Sequence, residues 1–253
     1  MLPIIQIGPF SVQAAGLVIL LGLWLGLGRV EKHASRYAMK PAELETMVML
    51  TLGIGLIGAR IGYVASNPTM LSSGWLAILS PRPEMLEPLT GILSGVAAGV
   101  IYGRKHQFEL WATLDSLTPG AALFMAFLAL SHFLSGNAYG MPTSLPWSIQ
   151  LYGTSRHPSQ MYELVAATGI YLWVERQLRV HSDRQSSPGV LVLKFLAGSL
   201  GARVLLETFR GDSTIIAGNV RLEQLAALGL FAACLWLLEK RERYSMLDKN
   251  NRS

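Results

Sequence analysis

Two arginines interrupt apolar runs that are otherwise long enough to cross a bilayer. Arg60 sits in MVMLTLGIGLIGARIGYVAS and Arg203 in VLVLKFLAGSLGARVLLETF. A charge inside such a segment is expensive and usually faces a site or a wet cavity. The guanidinium is a planar fork that matches phosphate oxygens, so the pair points to an anionic ligand held within a membrane. Arg203, Glu207 and Arg210 are spaced i, i+4, i+7. On a continuous helix that spacing places them on one face, where Glu207 can pair with either arginine. The trio is either an internal ion pair that holds the fold or a partly compensated basic site for a phosphate. One positive charge remains in excess even with Glu207 ionised.

Other polar groups cluster around these runs. Gly58 and Gly62 flank Arg60 four residues apart, which permits close approach of another backbone, and Tyr63 lies one turn beyond. No acidic residue is near Arg60 in its own segment. Its partner is therefore expected elsewhere, as Glu207, Glu163 or a lipid phosphate, unless the side chain snorkels to the headgroups. The run Arg156-His157-Pro158-Ser159-Gln160-Met161-Tyr162-Glu163 is the densest polar stretch. It reads either as an interfacial helix start, with Ser159 as cap and Tyr162 as a belt residue, or as a polar lining made by His157, Gln160 and Glu163. His157 and His132 are the candidate general bases at neutral pH. His132 precedes Ser135-Gly136-Asn137, a polar turn. No H-x-x-x-H or HExxH spacing occurs, so no metal is indicated, and no phosphate-binding glycine loop stands in a strand-turn-helix setting. The single cysteine, Cys234, lies in an apolar context and excludes an intramolecular disulfide.

These side chains need membrane helices to position them. The 253 residues are 51% hydrophobic and 15% charged, well below the roughly 25% charged of soluble domains. The apolar pattern predicts seven spans near 10–28, 44–65, 88–103, 111–134, 161–178, 189–208 and 220–238. Breaks fall at Asn67-Pro68, Pro81-Arg82-Pro83, Asn137 to Pro146, and Ser186-Ser187-Pro188. The first apolar run has no basic leader region and reads as a retained helix rather than a cleaved signal. One set of alternate loops and the tail carries Arg29, Lys32, Arg36, Lys40, Arg104, Lys105, Arg176, Arg179, Arg184, Lys240, Arg241, Arg243, Lys249 and Arg252. The opposite set carries Arg82, Arg156, Arg210 and Arg221. The positive side is cytoplasmic. The expectation is an all-α polytopic membrane protein, a single transmembrane domain over 1–253, with the N-terminus outside and the C-terminus inside. Arg60, Arg203 and the 135–160 loop then face the outer leaflet. The net charge of +5 reflects this topology and not a nucleic-acid footprint.

The chain resembles the bacterial prolipoprotein diacylglyceryl transferase family. The marks are IGPFSVQAAG at 7–16, GARIGYV at 58–64, SGNAYG at 135–140, RHPSQMYE at 156–163 and ARVLLETFR at 202–210. The resemblance implies a multi-pass enzyme of the bacterial inner membrane whose active face is outward. It implies transfer of the diacylglyceryl group of phosphatidylglycerol, or of another anionic phospholipid, to the lipobox cysteine of a preprolipoprotein. Glycerol phosphate would leave, and no cofactor is implied. The chain is expected to act as a monomer with lipid and signal peptide as partners.

On that resemblance Arg203, His132, His157 and Glu207 are the candidate catalytic residues. Arg60, Tyr63, Arg210, Asn137, Arg156, Gln160, Tyr162 and Glu163 are the candidate binding residues. The chain departs from the family at several usual positions. A first-helix tyrosine is Ala15, a third-helix histidine reads Ser94, a fourth-helix arginine is Ala129 and an asparagine is His132. A divergent transferase would then use His132 or His157 as base. The competing expectations are a paralogue that binds phospholipid without the chemistry, and a small transporter.

Overall fold

The structure, a computed structural model, describes residues 4–7, 10–69, 85–180, 187–217 and 220–250. Pro81-Arg82-Pro83, His181, Arg184, Ser186 and Arg252 lie outside the described residues. The long elements are α1 (Ala14–Ala34), α2 (Pro41–Ser66), α3 (Pro88–Lys105), α4 (Leu110–Ser135), α5 (Ser159–Val180), α6 (Val190–Leu206) and α7 (Leu222–Asn250). Among the described residues three short strand pairs accompany them: β1 (Ile4–Ile7) with β2 (Phe10–Gln13), β3 (Ile149–Leu151) with β4 (Thr154–Arg156), and β5 (Ile215–Ala217) with β6 (Val220–Arg221).

Each predicted span coincides with one of these helices, and the differences lie at the ends. The first helix begins at Ala14 and not at 10, because Phe10-Ser11-Val12-Gln13 alternates apolar and polar residues and pairs with Ile4–Ile7. The last helix runs to Asn250, past the apolar stretch into a charged extension. α2, α4, α7 and α1 with the turn that follows it (Ala14–Tyr37) are long and apolar enough to cross a membrane. The protein is therefore a helical, multi-pass membrane protein. Large apolar side chains such as Trp24, Ile61, Val165 and Leu205 are exposed, as expected where lipid is the solvent.

Residues 31–113 form one compact unit, and residues 1–30 with 114–253 form the other. In the first, α2 and α3 pack backbone to backbone. A Cβ on Gly91 would lie 3.1 Å from the Gly55 carbonyl oxygen, and one on Gly95 would lie 2.9 Å from that of Thr51. Gly58 and Gly62 face the Ser94 and Thr90 side chains so closely that any side chain there would collide. The expected close approach at Gly58 and Gly62 is thus made by α3. Lipid supplies no hydrophobic drive between helices, so such glycine faces are what let two helices gain dispersion contact. Glu87 caps α3, accepting from the Leu89 and Thr90 amides at 3.1 and 2.6 Å, and its own amide donates to the Ala59 carbonyl at 2.9 Å.

In the second unit Ala122, Val174, Leu178 and Phe195 join α4, α5 and α6. α1 packs on α4 where Gly26 meets Gly120; a Cβ on Gly120 would lie 2.6 Å from the Gly26 oxygen. At the far end of α4 from His132, buried Asp115 accepts from the Gly189 and Val192 amides at 2.7 and 2.8 Å. That carboxylate supplies the start of α6 with the acceptor its first turn lacks, and fixes α6 against α4.

Candidate active site

Three helix ends bring the site together. His132 is in the last turn of α4, Glu163 is near the start of α5, and Arg203 is in the last turn of α6. They line one cleft of about 290 Å³, whose other walls include Ala129, Ser199 and Leu206. The apolar part of this cleft shares Ala166, Ile170 and Ala202 with a groove between α5 and α6 that extends to Trp173 and Lys194.

The α-helical path of α6 stops at Leu206, and Glu207–Phe209 forms a 3-10 turn. Arg210 then adopts an extended conformation at φ −78°, ψ 143°. The predicted single helix face for Arg203, Glu207 and Arg210 is therefore corrected: Arg210 reaches the cluster from a loop. Its extended backbone bridges to Gly140, and the Gly211 amide donates to the Tyr139 carbonyl at 2.8 Å. Loop pairing, which helical periodicity does not encode, sets its direction.

The charges interlock. Arg210 Nη1 donates to Glu163 Oε1 at 2.9 Å, and Arg203 Nη1 donates to the same oxygen at 3.4 Å. Arg203 Nε lies 2.8 Å from Glu207 Oε2, a charge contact out of line for a hydrogen bond. Arg210 also grips Asp212 bidentately at 2.9 and 2.8 Å. Burial opposes the charge of Arg210, but Asp212, Glu163 and Glu207 outweigh it and hold its pKa above the ordinary arginine value. His132 Nδ1 lies 3.7 Å from Glu163 Oε2.

The expected excess positive charge is also corrected. Glu163, contributed by α5, adds a second carboxylate, so Arg203 and Arg210 are matched by Glu163 and Glu207 before Asp212 is counted. The side chain of Glu207 is 0% exposed and that of Arg210 12%, whereas that of Arg203 is 37% exposed. Arg210 is committed to carboxylates; Arg203 keeps an open side toward the cleft.

The remaining sequence candidates are placed differently. Among His157, Gln160 and Glu163, only Glu163 lines this cleft. His157 stands beside Phe209 and Tyr162, with its Nδ1 3.5 Å from the Tyr162 hydroxyl. That hydroxyl accepts from the Trp147 indole at 2.8 Å. Gln160 is buried and donates to the Asn137 carbonyl at 2.9 Å. Arg156 donates to the Leu151 and Gly140 carbonyls at 3.2 Å each and lies over the Tyr139 ring at 4.9 Å. These residues brace the loop between α4 and α5. The Ser159 hydroxyl donates to the Ala138 carbonyl at 2.6 Å, a use as loop tether in place of the cap expected.

Arg60 and Tyr63 belong to the unit of residues 31–113. Arg60 Nη1 donates to the Met85 carbonyl at 2.9 Å and Nη2 to its sulfur at 3.6 Å. Tyr63 is half-buried, and its carbonyl accepts from Asn67 at 3.0 Å.

The chain that carries this cluster is similar to known proteins over most of its length. The family model described as prolipoprotein diacylglyceryl transferase matches residues 3–239. The chain belongs to this family. It is a transferase of the diacylglyceryl type. It is 28% identical over 213 residues to the phosphatidylglycerol--prolipoprotein diacylglyceryl transferase of Clostridioides difficile (strain 630), covering 84% of each chain. To the enzyme of that name from Synechocystis sp. (strain ATCC 27184 / PCC 6803 / Kazusa) it is 25% identical over 248 residues, covering 92% of this chain and 87% of the relative. The Rhizobium meliloti (strain 1021) protein of that name is 28% identical over 228 residues, with 82% and 78% covered.

The positions read from the sequence as departures from the family also have a place. Ala129 lines the cleft one turn before His132. The Ala15 carbonyl accepts from the buried Ser131 hydroxyl at 3.0 Å, and the Ser94 hydroxyl donates to the Thr90 carbonyl at 2.7 Å. Sequence reasoning missed Met85, Asp212, Ser213 and Arg221 as partners of the arginines. Asp212 is signalled by standing two residues from Arg210. The others act through main-chain acceptors or across loops, for which no pattern exists.

Proposed function

We propose that the cleft between α4, α5 and α6 holds the phosphate of phosphatidylglycerol, or of a closely related anionic phospholipid, and that the diacylglyceryl group passes to the lipobox cysteine of a preprolipoprotein. The observation that carries this is the open side of Arg203 in a cleft shared with His132 and Glu163. The apolar groove continuing between α5 and α6 suits sideways entry of the lipid.

In the reaction the acceptor thiol gives its proton to His132, whose imidazolium is balanced by Glu163. A free thiol has a pKa near 8.5, so modest assistance suffices. The sulfur attacks the glyceryl carbon bonded to the phosphate oxygen. The C–O bond breaks with its electron pair going to that oxygen, and glycerol phosphate leaves. Arg203 stabilises the charge developing on the leaving phosphate. Glu207 and Arg210 fix Arg203 and Glu163. Asn137, Arg156, Gln160, Tyr162 and His157 shape the loop over this end of the helices. Arg60 and Tyr63 stand as candidate headgroup contacts of their own unit, to be tested separately.

The reading includes one transmembrane domain of seven spans, with the N-terminus outside, the C-terminus cytoplasmic and the cleft toward the cell exterior or periplasm. The clustering of Lys and Arg on one side supports it. The chain acts as a monomer in this reading.

The test is purified protein with phosphatidylglycerol and a lipobox peptide. Thioether product is expected from the native chain, with loss of about 10²-fold or more in Arg203→Ala. His132→Gln is expected to lower the rate of thioether formation while lipid retention is kept, because the thiol loses its proton acceptor. Lipid retention without product would favour the lipid-binding paralogue, and equal activity in Arg203→Ala would defeat the phosphate role.

A further inference from the structure

Arg221 ends β6, immediately before α7, and entered the sequence reading only as a loop charge. Its Nη1 donates to the carbonyl oxygens of Glu207 and Arg210, the latter at 2.7 Å, and to the Ser213 hydroxyl at 3.3 Å. Its Nη2 lies 2.9 Å from the Met141 sulfur. The Ser213 hydroxyl in turn donates to Glu207 Oε1. The direction of this chain is fixed by chemistry. Arginine has donors and no acceptor, and a serine hydroxyl has a single proton. Because Ser213 accepts from Arg221, its proton is free to go to the carboxylate. Glu207 is fully buried, so a fixed Oε1 sets where Oε2 points, and Oε2 is the oxygen beside Arg203 Nε at 2.8 Å.

We infer that Ser213 and Arg221 are positioning residues that aim the Arg203 guanidinium into the cleft through the Glu207 carboxylate. The inference rests on the reading of Arg203 as the phosphate-holding group. Neither residue lines the cleft, so neither touches the lipid there. Their effect passes through Arg203, and a small error in the aim of a group that stabilises charge carries a large penalty in rate.

The experiment is a mutant cycle read in two ways. Retention of dioleoyl phosphatidylglycerol by detergent-purified protein is followed by native mass spectrometry, and thioether formation is followed with a lipobox peptide. Ser213→Ala and Arg221→Gln are each expected to reduce both by about tenfold. Ser213→Thr, which keeps the hydroxyl, is expected to restore them. In the Arg203→Ala background, Ser213→Ala is expected to change lipid retention no further. A purely structural role would instead lower retention in both backgrounds, and that result overturns the inference, as does unchanged retention in Ser213→Ala. If the native chain retains lipid but makes no product, the transfer reading falls while the retention cycle still decides the positioning role. A native chain that retains no phosphatidylglycerol overturns both.

Discussion

Arg60 and Arg203 pose the same electrostatic problem, and the partners described for them differ. Arg60 follows Ala59 on a helix whose face is packed against α3, and it donates to the carbonyl and sulfur of Met85. Arg203 stands where three helix ends meet, between two carboxylates, with one side left open. A carbonyl satisfies guanidinium hydrogen bonds and ties a chain segment to a helix. The carboxylates beside Arg203 also offset its charge, and its side chain keeps one side open toward the cleft. The two arginines thus differ in their described partners, and substitution decides whether they differ in role.

The sharpest way to break this comparison is Glu163→Gln. The substitution preserves shape but removes the carboxylate shared by Arg203, Arg210 and His132. Transfer is expected to fall about 10²-fold, read as the rate of thioether formation, because both the arginine geometry and the counter-charge for the imidazolium are lost. A drop below threefold would show that the carboxylate serves folding alone.

Arg60→Leu should act on the other side of the comparison. It leaves the Met85 carbonyl without this donor and should lower stability by about 1–3 kcal/mol, measured as thermal unfolding in detergent. Its effect on turnover at a temperature where the variant is folded should be far smaller than that of Arg203→Ala. Equal loss of turnover in the two variants would make Arg60 a headgroup ligand and erase the distinction.

The smallest effect is expected from Glu87→Gln at the start of α3. Glu87 has a depressed pKa because the Thr90 side chain and amide, and the Leu89 amide, hydrogen-bond its carboxylate. Its folded value lies below the ordinary carboxyl value of 4.5, so its stabilisation is fully present above that value and is lost as pH falls through the folded pKa. The native chain should therefore lose a little melting temperature on acidification across this window. Glu87→Gln should be slightly less stable at neutral pH and should lack this component of the pH dependence.

Much of the frame was legible in the residues. Apolar run lengths located the helices, since a membrane helix must satisfy its backbone internally and cover itself with apolar side chains. Gly58 and Gly62 signalled a close helix contact because only small residues allow one, although their spacing did not name α3 as the partner. Arg203, Glu207 and Glu163 of the RHPSQMYE run, singled out by type and spacing, do meet where α5 begins and α6 ends. The first helix was read too early because Phe10 and Val12 count toward hydropathy whether they lie in a helix or in a strand. His157 and Gln160 were equal candidates with Glu163 because polarity and proximity in sequence do not reveal side-chain direction.

The sequence by itself determined a multi-pass helical protein with arginines in unusual places, because hydropathy and charge are properties of each residue and are summed along the chain. Only the tertiary structure decided what those arginines meet. The end of α6 at Leu206 sends Arg210 around a loop, α5 supplies the second carboxylate, and α4 supplies the histidine. Such encounters depend on where helices stop and how their ends converge, and contacts between residues tens of positions apart leave no local pattern to read.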